Sequence, residues 1–312
     1  MDREQKLYYF DNNATTRVAP EVVEAMLPFL TDLWGNASSA YRFGHRIRQY
    51  VDQAREKVAA LINAEPKEIV FTSCGTESNN AAIHSALALH PGKRHVVMTS
   101  VEHSANIKYG EFLQRRAYDV TCLPVESDGS LDIHLLDQSI RPDTAIVSVM
   151  WANNETGVIF PIEEAAAICR SRGVLFHTDA VQTPGKVRVD VKSSGVDFLS
   201  LSAHKLHAPK GIGMLYVKKR TRFQPYVIGG IRSGGGEGAR RTFLTLLVLA
   251  GRPSWRYRNW GLSPRGFARC EIVWRTRFCR ACPIAHETDA ATRGCPIRPT
   301  SHLDLWKRRR SS

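Results

Sequence analysis

Between residues 68 and 217 the chain alternates short, nearly unbroken apolar runs with longer stretches in which apolar positions recur every three or four residues. The first pattern is that of strands buried on both faces, the second that of helices covering them. Strands are predicted at 68–72, 95–100, 144–151, 174–179 and 196–201, with a short apolar return around Gly211 and Gly213. Residues 117–125 read as an edge strand. Pro20 opens a helical pattern through Val22, Val23, Met26, Leu27 and Leu30, a proline at an early helical position being pre-set for the helix. Further helices are predicted at 47–61, after Gly75, at 133–139 and at 161–172. This βαβ rhythm predicts an α/β fold, a mostly parallel sheet with helices on both faces.

The polar residues that interrupt the pattern sit where the strands end. The run 174–176 ends in His177, Thr178 and Asp179; the run 196–201 ends in Ser202, Ala203, His204 and Lys205. Open α/β sheets bind ligands at that edge. A carboxylate beside an amine suits pyridoxal phosphate: Asp179 could keep a pyridinium nitrogen protonated, and Lys205 could form the imine. Gly75 and Thr76, at the junction of strand 68–72 with its helix, could form a phosphate cup from close-approaching backbone, a hydroxyl and the helix's positive end. Each feature has a plainer reading. Lysines of this kind are mostly solvated, Asp179 and Thr76 could be helix caps, a lone His103 is usually structural, and Asn153 or Asn154 could satisfy the turn before Gly157. The ordered set is what favours the cofactor.

The segments HTDAVQ (177–182) and SAHKLHAPKGIG (202–213) resemble those of the NifS/IscS-type cysteine desulfurases, class V relatives of the fold type I aminotransferases. The opening YYFDNNATT is similar to that family's amino-terminal signature, and the resemblance runs from residue 8 to about 230. It implies a fold type I large domain with pyridoxal 5'-phosphate covalent on Lys205. By residue-by-residue match, His103 would stack on the ring and carry protons with Lys205; Asn154 would contact the cofactor and the substrate carboxylate; Gln182 would reach the phenolic oxygen. Gly75, Thr76, Ser202, Ala203 and His204 would surround the phosphate. The implied reaction takes L-cysteine to L-alanine and passes sulfur through an enzyme persulfide to an iron–sulfur scaffold protein, in the branch serving nitrogenase metalloclusters. The implied assembly is a homodimer. Two positions depart from the family: Tyr41 stands where a histidine is usual, and Cys74, read as a packing residue, where a small residue is usual. Another class V enzyme, a selenocysteine lyase or an aminotransferase, would share this site.

Composition changes the picture at one end only. The 312 residues carry a net charge of +13, yet residues 231–312 hold 17 Lys+Arg against 5 Asp+Glu, while the first 230 hold 26 against 25. Four of the six tryptophans also lie in that tail. The family's Gln-Glu-Arg and Gly-Thr-Glu-Asn segments, its cysteine loop and its small domain do not follow Gly230. Moved by one base, the codons allowed for residues 231–243 can read His-Gln-Glu-Arg-Gly-Arg-Arg-Gly-Gly-Thr-Glu-Asn-Val, so a single-base loss near Gly230 is expected. The organisation expected is an N-terminal segment (1–16), a cofactor-binding large domain (17–230) and a basic, out-of-frame, poorly ordered tail (231–312), in which 244–250 could form a local helix or strand. The chain as written is expected to bind cofactor weakly and not to desulfurate cysteine. Cys122 and Cys169 read as core.

The remaining expectations are absences. Zinc-like spacing among Cys279, Cys282, His286 and Cys295 is discounted with the tail, and no metal site is expected. A basic nucleic-acid-binding protein is the alternative from another class, but it rests on the tail, including the run 307–310, and specific nucleic-acid binding is not expected. No apolar stretch approaches a membrane span, and the start MDREQKLYYFD lacks the apolar core of a signal peptide. Seven irregularly spaced cysteines fit a reducing compartment, so a cytoplasmic protein is expected.

Overall fold

The structure, a computed structural model, describes residues 8–228; the expectations for 231–312 lie outside these. Two helices come first: α1 (Pro20–Thr31), with its proline in the first turn, and α2 (Arg42–Leu61). Strand β1 (Ile69–Thr72) then feeds α3 (Gly75–Leu89), followed by β2 (His95–Thr99), α4 (Ser104–Gln114), β3 (Asp119–Leu123) and α5 (Ile133–Ser139). The second half holds β4 (Thr144–Ser148), α6 (Ile162–Ser171), β5 (Leu175–Asp179), α7 (Val191–Ser194), β6 (Phe198–Ser202) and β7 (Gly213–Val217). The seven strands form one sheet in the order β1-β7-β6-β5-β4-β2-β3. Strands β3, β2, β4, β5 and β6 are parallel, and β7 runs antiparallel to both β6 and β1.

Alternation along the strands divides the core. On one face Phe71, Val97, Val147, Phe176, Leu199 and Leu201 meet Val58 of α2 and Ala165 of α6. On the other, Val70, Val96, Met98, Ile146 and Phe198 meet α3 and α4 through residues such as Ile83, Leu87 and Leu113. All these side chains are removed from water, at roughly 25 cal/mol per Å² of apolar surface. The predicted two-faced sheet is what these residues build.

Three details differ from the sequence reading. Strand β4 ends at Ser148, short of the expected residue 151. Val149 and Trp151 still donate to the carbonyls of His177 and Asp179 on β5, but on the other side β2 has ended and the Met150 N–H donates to the Glu102 carboxylate at 2.7 Å. Cys122 is exposed, a correction of its reading as core, because β3 is the last strand of the sheet with a neighbour on one side only. On α1, Val22 and Phe29 are buried, whereas Val23, Leu27 and Leu30 are exposed. Among the described residues no helix is long and apolar enough to cross a membrane.

Candidate cofactor site

Strands β5 and β6 lie side by side with Asp179 opposite Ser200, so the loops that follow both leave the same edge of the sheet. Asp179 is buried. Its Oδ1 accepts the Val181 N–H at 3.0 Å and its Oδ2 the Asn79 amide of α3 at 2.7 Å, which fixes the plane of the carboxylate. Lys205 closes a single 3₁₀ turn, Ala203–Lys205, directly after β6. Its ammonium donates to the carbonyls of Asn13 and, at 2.8 Å, of Ala14. Partial burial lowers the Lys205 pKa from the ordinary lysine value, against the opposing pull of Asp11 and Asp179.

The start of α3 abuts the same edge. A Cβ on Gly75 would come within 3.1 Å of Val181 Cγ2 and 3.5 Å of the Ser202 Cβ, so the absence of a side chain lets helix and strand end meet. Cys74 is the N-cap and caps with no side-chain hydrogen bond; Thr76 lies inside the first turn, exposed, and is not the cap. The N–H groups there remain available to an anion. Gly213 of β7 makes this junction possible, since a Cβ there would stand 2.4 Å from the Cys74 carbonyl carbon.

The other expected residues join through the N-terminal segment. Asp11–Ala14 form a turn, and Thr16 and Ala19 donate to the carbonyls of His204 and His207. This lays Asn13 across the strand ends. The Gln182 Nε2 donates to the Asn13 carbonyl at 2.9 Å, and the Asn13 Nδ2 donates to the Asn154 carbonyl at 3.0 Å. His204 Nδ1 lies 3.0 Å from the Thr15 hydroxyl, and its pKa is lowered by burial and then by Lys205, Lys210 and His103. His103 caps α4, its Nδ1 accepting the Ala105 N–H at 3.1 Å, which leaves Nε2 to carry the ring proton. The turn role falls to Asn153, whose Oδ1 accepts the N–H groups of Glu155 and Thr156; the Asn154 side chain has no such bond among the described residues. Ser202 and Ala203 are both buried at the end of β6. All ten sequence-predicted residues therefore gather at one edge.

Sequence reasoning missed four others. Asn13, Lys186 and Asn79 carry no role at the site in the sequence reading; Asn79 lies in the polar stretch 76–80 that opens α3, where nothing sets it apart from its neighbours. Glu102, beside His103, is buried and accepts from Thr99 Oγ1 at 2.8 Å, Met150 N at 2.7 Å and Asn106 Nδ2 at 2.9 Å. Burial pushes its pKa up to about 7 despite those bonds. Next to it, His177 on β5 bridges Ser148 Oγ (2.8 Å) on β4 and Ser200 Oγ (2.9 Å) on β6, and burial pushes its pKa down to about 3. A layer of polar groups thus runs under the site between the sheet and the α3–α4 face.

Residues 8–234 match the family described as Aminotransferase class-V. The chain is 52% identical over 241 residues to "Cysteine desulfurase 2" of Trichormus variabilis, covering 77% of this chain and 61% of that protein. It is 50% identical over 242 residues to "Cysteine desulfurase NifS" of Azotobacter vinelandii, covering 77% and 60%. Among solved structures it resembles "SspA in complex with cysteine" (TM-score 0.75, 35% identity, covering 78% of this chain and 71% of that one) and a "NIFS-LIKE PROTEIN" (TM-score 0.74, 37% identity, covering 78% and 67%). The chain spans about three-fifths of the length of these curated relatives.

Proposed function

The chain belongs to the aminotransferase class-V family, and from that premise we propose that residues 8–228 are the cofactor-binding part of a NifS-type cysteine desulfurase, which converts L-cysteine to L-alanine and passes the sulfur on through an enzyme persulfide. The carrying observation is the pairing of Asp179, its carboxylate held by Asn79 and Val181, with Lys205 on the adjacent strand end. That donor set fits pyridoxal phosphate: an oriented carboxylate for a ring nitrogen, an amine for attachment, and an uncapped helix start beside Thr76 and Ser202 for a phosphate. When bound, the cofactor supplies an electron sink that eases loss of the substrate Cα proton.

The protein's own part is binding, orientation and proton handling. Asp179 would hold the proton on the ring nitrogen. Thr76, Ser202 and His204, with the N–H groups of α3 and the small residues Gly75 and Ala203 at the contact, hold the phosphate. Gln182 would donate to the ring oxygen, and Asn154 would offer its side chain to the substrate carboxylate. His103, protonated on Nε2, and Lys205 move the Cα proton. No persulfide cysteine is assigned within 8–228: Cys169 is buried with its pKa pushed up to about 12, Cys122 lies on the sheet's last strand, and Cys74 is the N-cap of α3 with its backbone packed on Gly213.

On this reading 17–230 is the cofactor-binding domain and 1–16 the segment that brings Asn13 to it. The protein would act as a cytoplasmic homodimer handing sulfur to an iron–sulfur scaffold, in nitrogenase cluster assembly as its NifS relative suggests. The family match ends at residue 234, close to where the codons permit a one-base change of frame. Two experiments test the reading. The 312-residue protein mixed with pyridoxal phosphate should develop a visible band that borohydride fixes to the Lys205 peptide and that Lys205→Ala abolishes, with no steady-state sulfide release. Resequencing across the codons for residues 229–242 should find the missing base, and the restored frame should release sulfide. Absence of the Lys205-dependent band would overturn the cofactor assignment; an intact frame would overturn the base loss.

A further inference from the structure

Lys186 lies four residues beyond Gln182 in a backbone folded by consecutive turns: Thr183 N donates to Ala180 O, and Lys186 N and Val187 N donate to Thr183 O. Gly185, at φ +78°, supplies the left-handed step that brings Lys186 back toward Gln182. The Lys186 Nζ donates to Gln182 Oε1 at 2.8 Å and to Asn13 Oδ1 at 3.3 Å. An ammonium has donors and no acceptor, so it can hold only the oxygen end of an amide. With Oε1 held, Nε2 faces the opposite way. There it donates to the Asn13 carbonyl, the same acceptor that takes the Lys205 ammonium, so the amide donor stands beside the amine.

We propose that Lys186 is a positioning residue that fixes the orientation of the Gln182 amide, so that an N–H and not a carbonyl oxygen faces the group held on Lys205. Without the ammonium, only the Asn13 carbonyl selects Nε2 for the inward position, and that acceptor is shared with the Lys205 ammonium. An inward Oε1 would repel an oxygen carrying negative charge, whereas an inward Nε2 stabilises it. The residue acts through Gln182 and touches no reacting atom. This rests on the cofactor reading above, and its test separates the two.

The first measurement needs no cofactor. In the cofactor-free 312-residue protein, selectively labelled at glutamine nitrogen, the Gln182 side-chain resonance is identified by its loss in Gln182→Ala. Lys186→Met should cost this amide its protection from hydrogen exchange, and Lys186→Arg, which also only donates, should keep it. The second uses the protein loaded with pyridoxal phosphate. A donor facing the ring oxygen favours the deprotonated form, so Lys186→Met should raise the midpoint of the visible band's pH titration by roughly half a unit to one unit, the worth of one such bond. Gln182→Ala should raise it similarly, and Lys186→Met added to Gln182→Ala should shift it by less than Lys186→Met does alone, the remainder being the lost charge that acts on Lys205. Unchanged amide exchange in Lys186→Met, or a full additional shift in the double variant, would overturn the proposal. A parent protein with no Lys205-dependent band would instead sink the cofactor reading, while the exchange measurement still decides the orientation.

Discussion

Asn79 of α3 donates its side-chain amide to Asp179 Oδ2 at 2.7 Å, joining residues one hundred positions apart. Both are buried, and the bond, together with the Val181 N–H on Oδ1, fixes the plane of the carboxylate. Asn79→Ala should therefore do two things. Folding stability should fall by about 1–3 kcal/mol, the cost of leaving a buried oxygen without its donor. Affinity for pyridoxal phosphate should weaken about tenfold, as a loosened Asp179 meets the ring nitrogen less often in the right plane. Urea denaturation and a visible titration check the pair. Asn79→Asp should be worse on both counts, since it sets two carboxylates against each other.

Glu102 and His177 oppose each other in pH dependence. Glu102 is raised from 4.5 to about 7, so its contribution to stability is complete below 4.5 and is lost as pH rises to 7. His177 is lowered from 6.5 to about 3, so its contribution is complete above 6.5 and is lost as pH falls to 3. Each slope is about 1.4 kcal/mol per pH unit, and the full amplitudes are about 3 and about 5 kcal/mol. Between pH 4.5 and 6.5 the two cancel. Glu102→Gln removes one slope and should uncover the other: stability relative to the parent should rise by about 1.4 kcal/mol per unit across that window. The new amide would be accommodated by rotation of the Asn106 amide, whose Oδ1 has no partner among the described residues. Parallel stability curves for the two proteins between pH 5 and 7 would show that Glu102 does not titrate as a buried acid.

The strands and helices were legible because burial on two faces writes long apolar runs, and Asp179 and Lys205 stood out as polar breaks at the ends of those runs. The end of β4 was not legible. Val149, Met150 and Trp151 are as apolar as the strand before them, and what ends the ladder is the Glu102 carboxylate arriving from another element to take the Met150 N–H. Asn13 and Lys186 were hidden for a related reason. Their partners, Lys205 and Gln182, were identified, but amides and amines in a turn look like solvated polar residues until the chain is folded and Asn13 is found across the strand ends. The rim position of β3 was legible as an edge strand, but the exposure of Cys122 was not, since a small apolar side chain on a rim strand reads the same whether or not a neighbouring element covers it.

Gly213 should tolerate no side chain. Its Cβ would lie 2.4 Å from the Cys74 carbonyl carbon, 2.5 Å from that oxygen and 2.6 Å from Thr72 Oγ1, and the first two are backbone atoms that cannot rotate aside. Relief requires β7 to move away from the β1–α3 junction, where the helix start faces Ser202. Gly213→Ala should cost about 3 kcal/mol or more and weaken cofactor binding along with stability. Gly92, which has nothing within 4 Å of an added Cβ, is the control: Gly92→Ala should leave both nearly unchanged. Equal melting temperatures for the two variants would contradict the close approach.

Thiol labelling should separate the three cysteines of the folded region by their surroundings. Cys169 is enclosed between α6 and the sheet, and burial, aided by Asp197 and Asp137, pushes its thiol up to about 12. At pH 8 about one thiol in ten thousand of that pKa is ionised, and the thiolate is the reacting species. Access removes most of what remains, so labelling of Cys169 should proceed only as fast as the protein opens. Cys122 is exposed on β3 and should react first; Cys74, half-covered at the start of α3, should follow. Iodoacetamide labelling with peptide mass mapping, in buffer and again in denaturant, measures the order. The same map bears on the chemistry. After incubation with pyridoxal phosphate and L-cysteine, neither Cys122 nor Cys169 should carry an added sulfur, since the first stands on the sheet's last strand and the second holds its proton. A persulfide on either residue would place the nucleophile inside residues 8–228 and overturn its assignment to the part of the family that the matched region lacks.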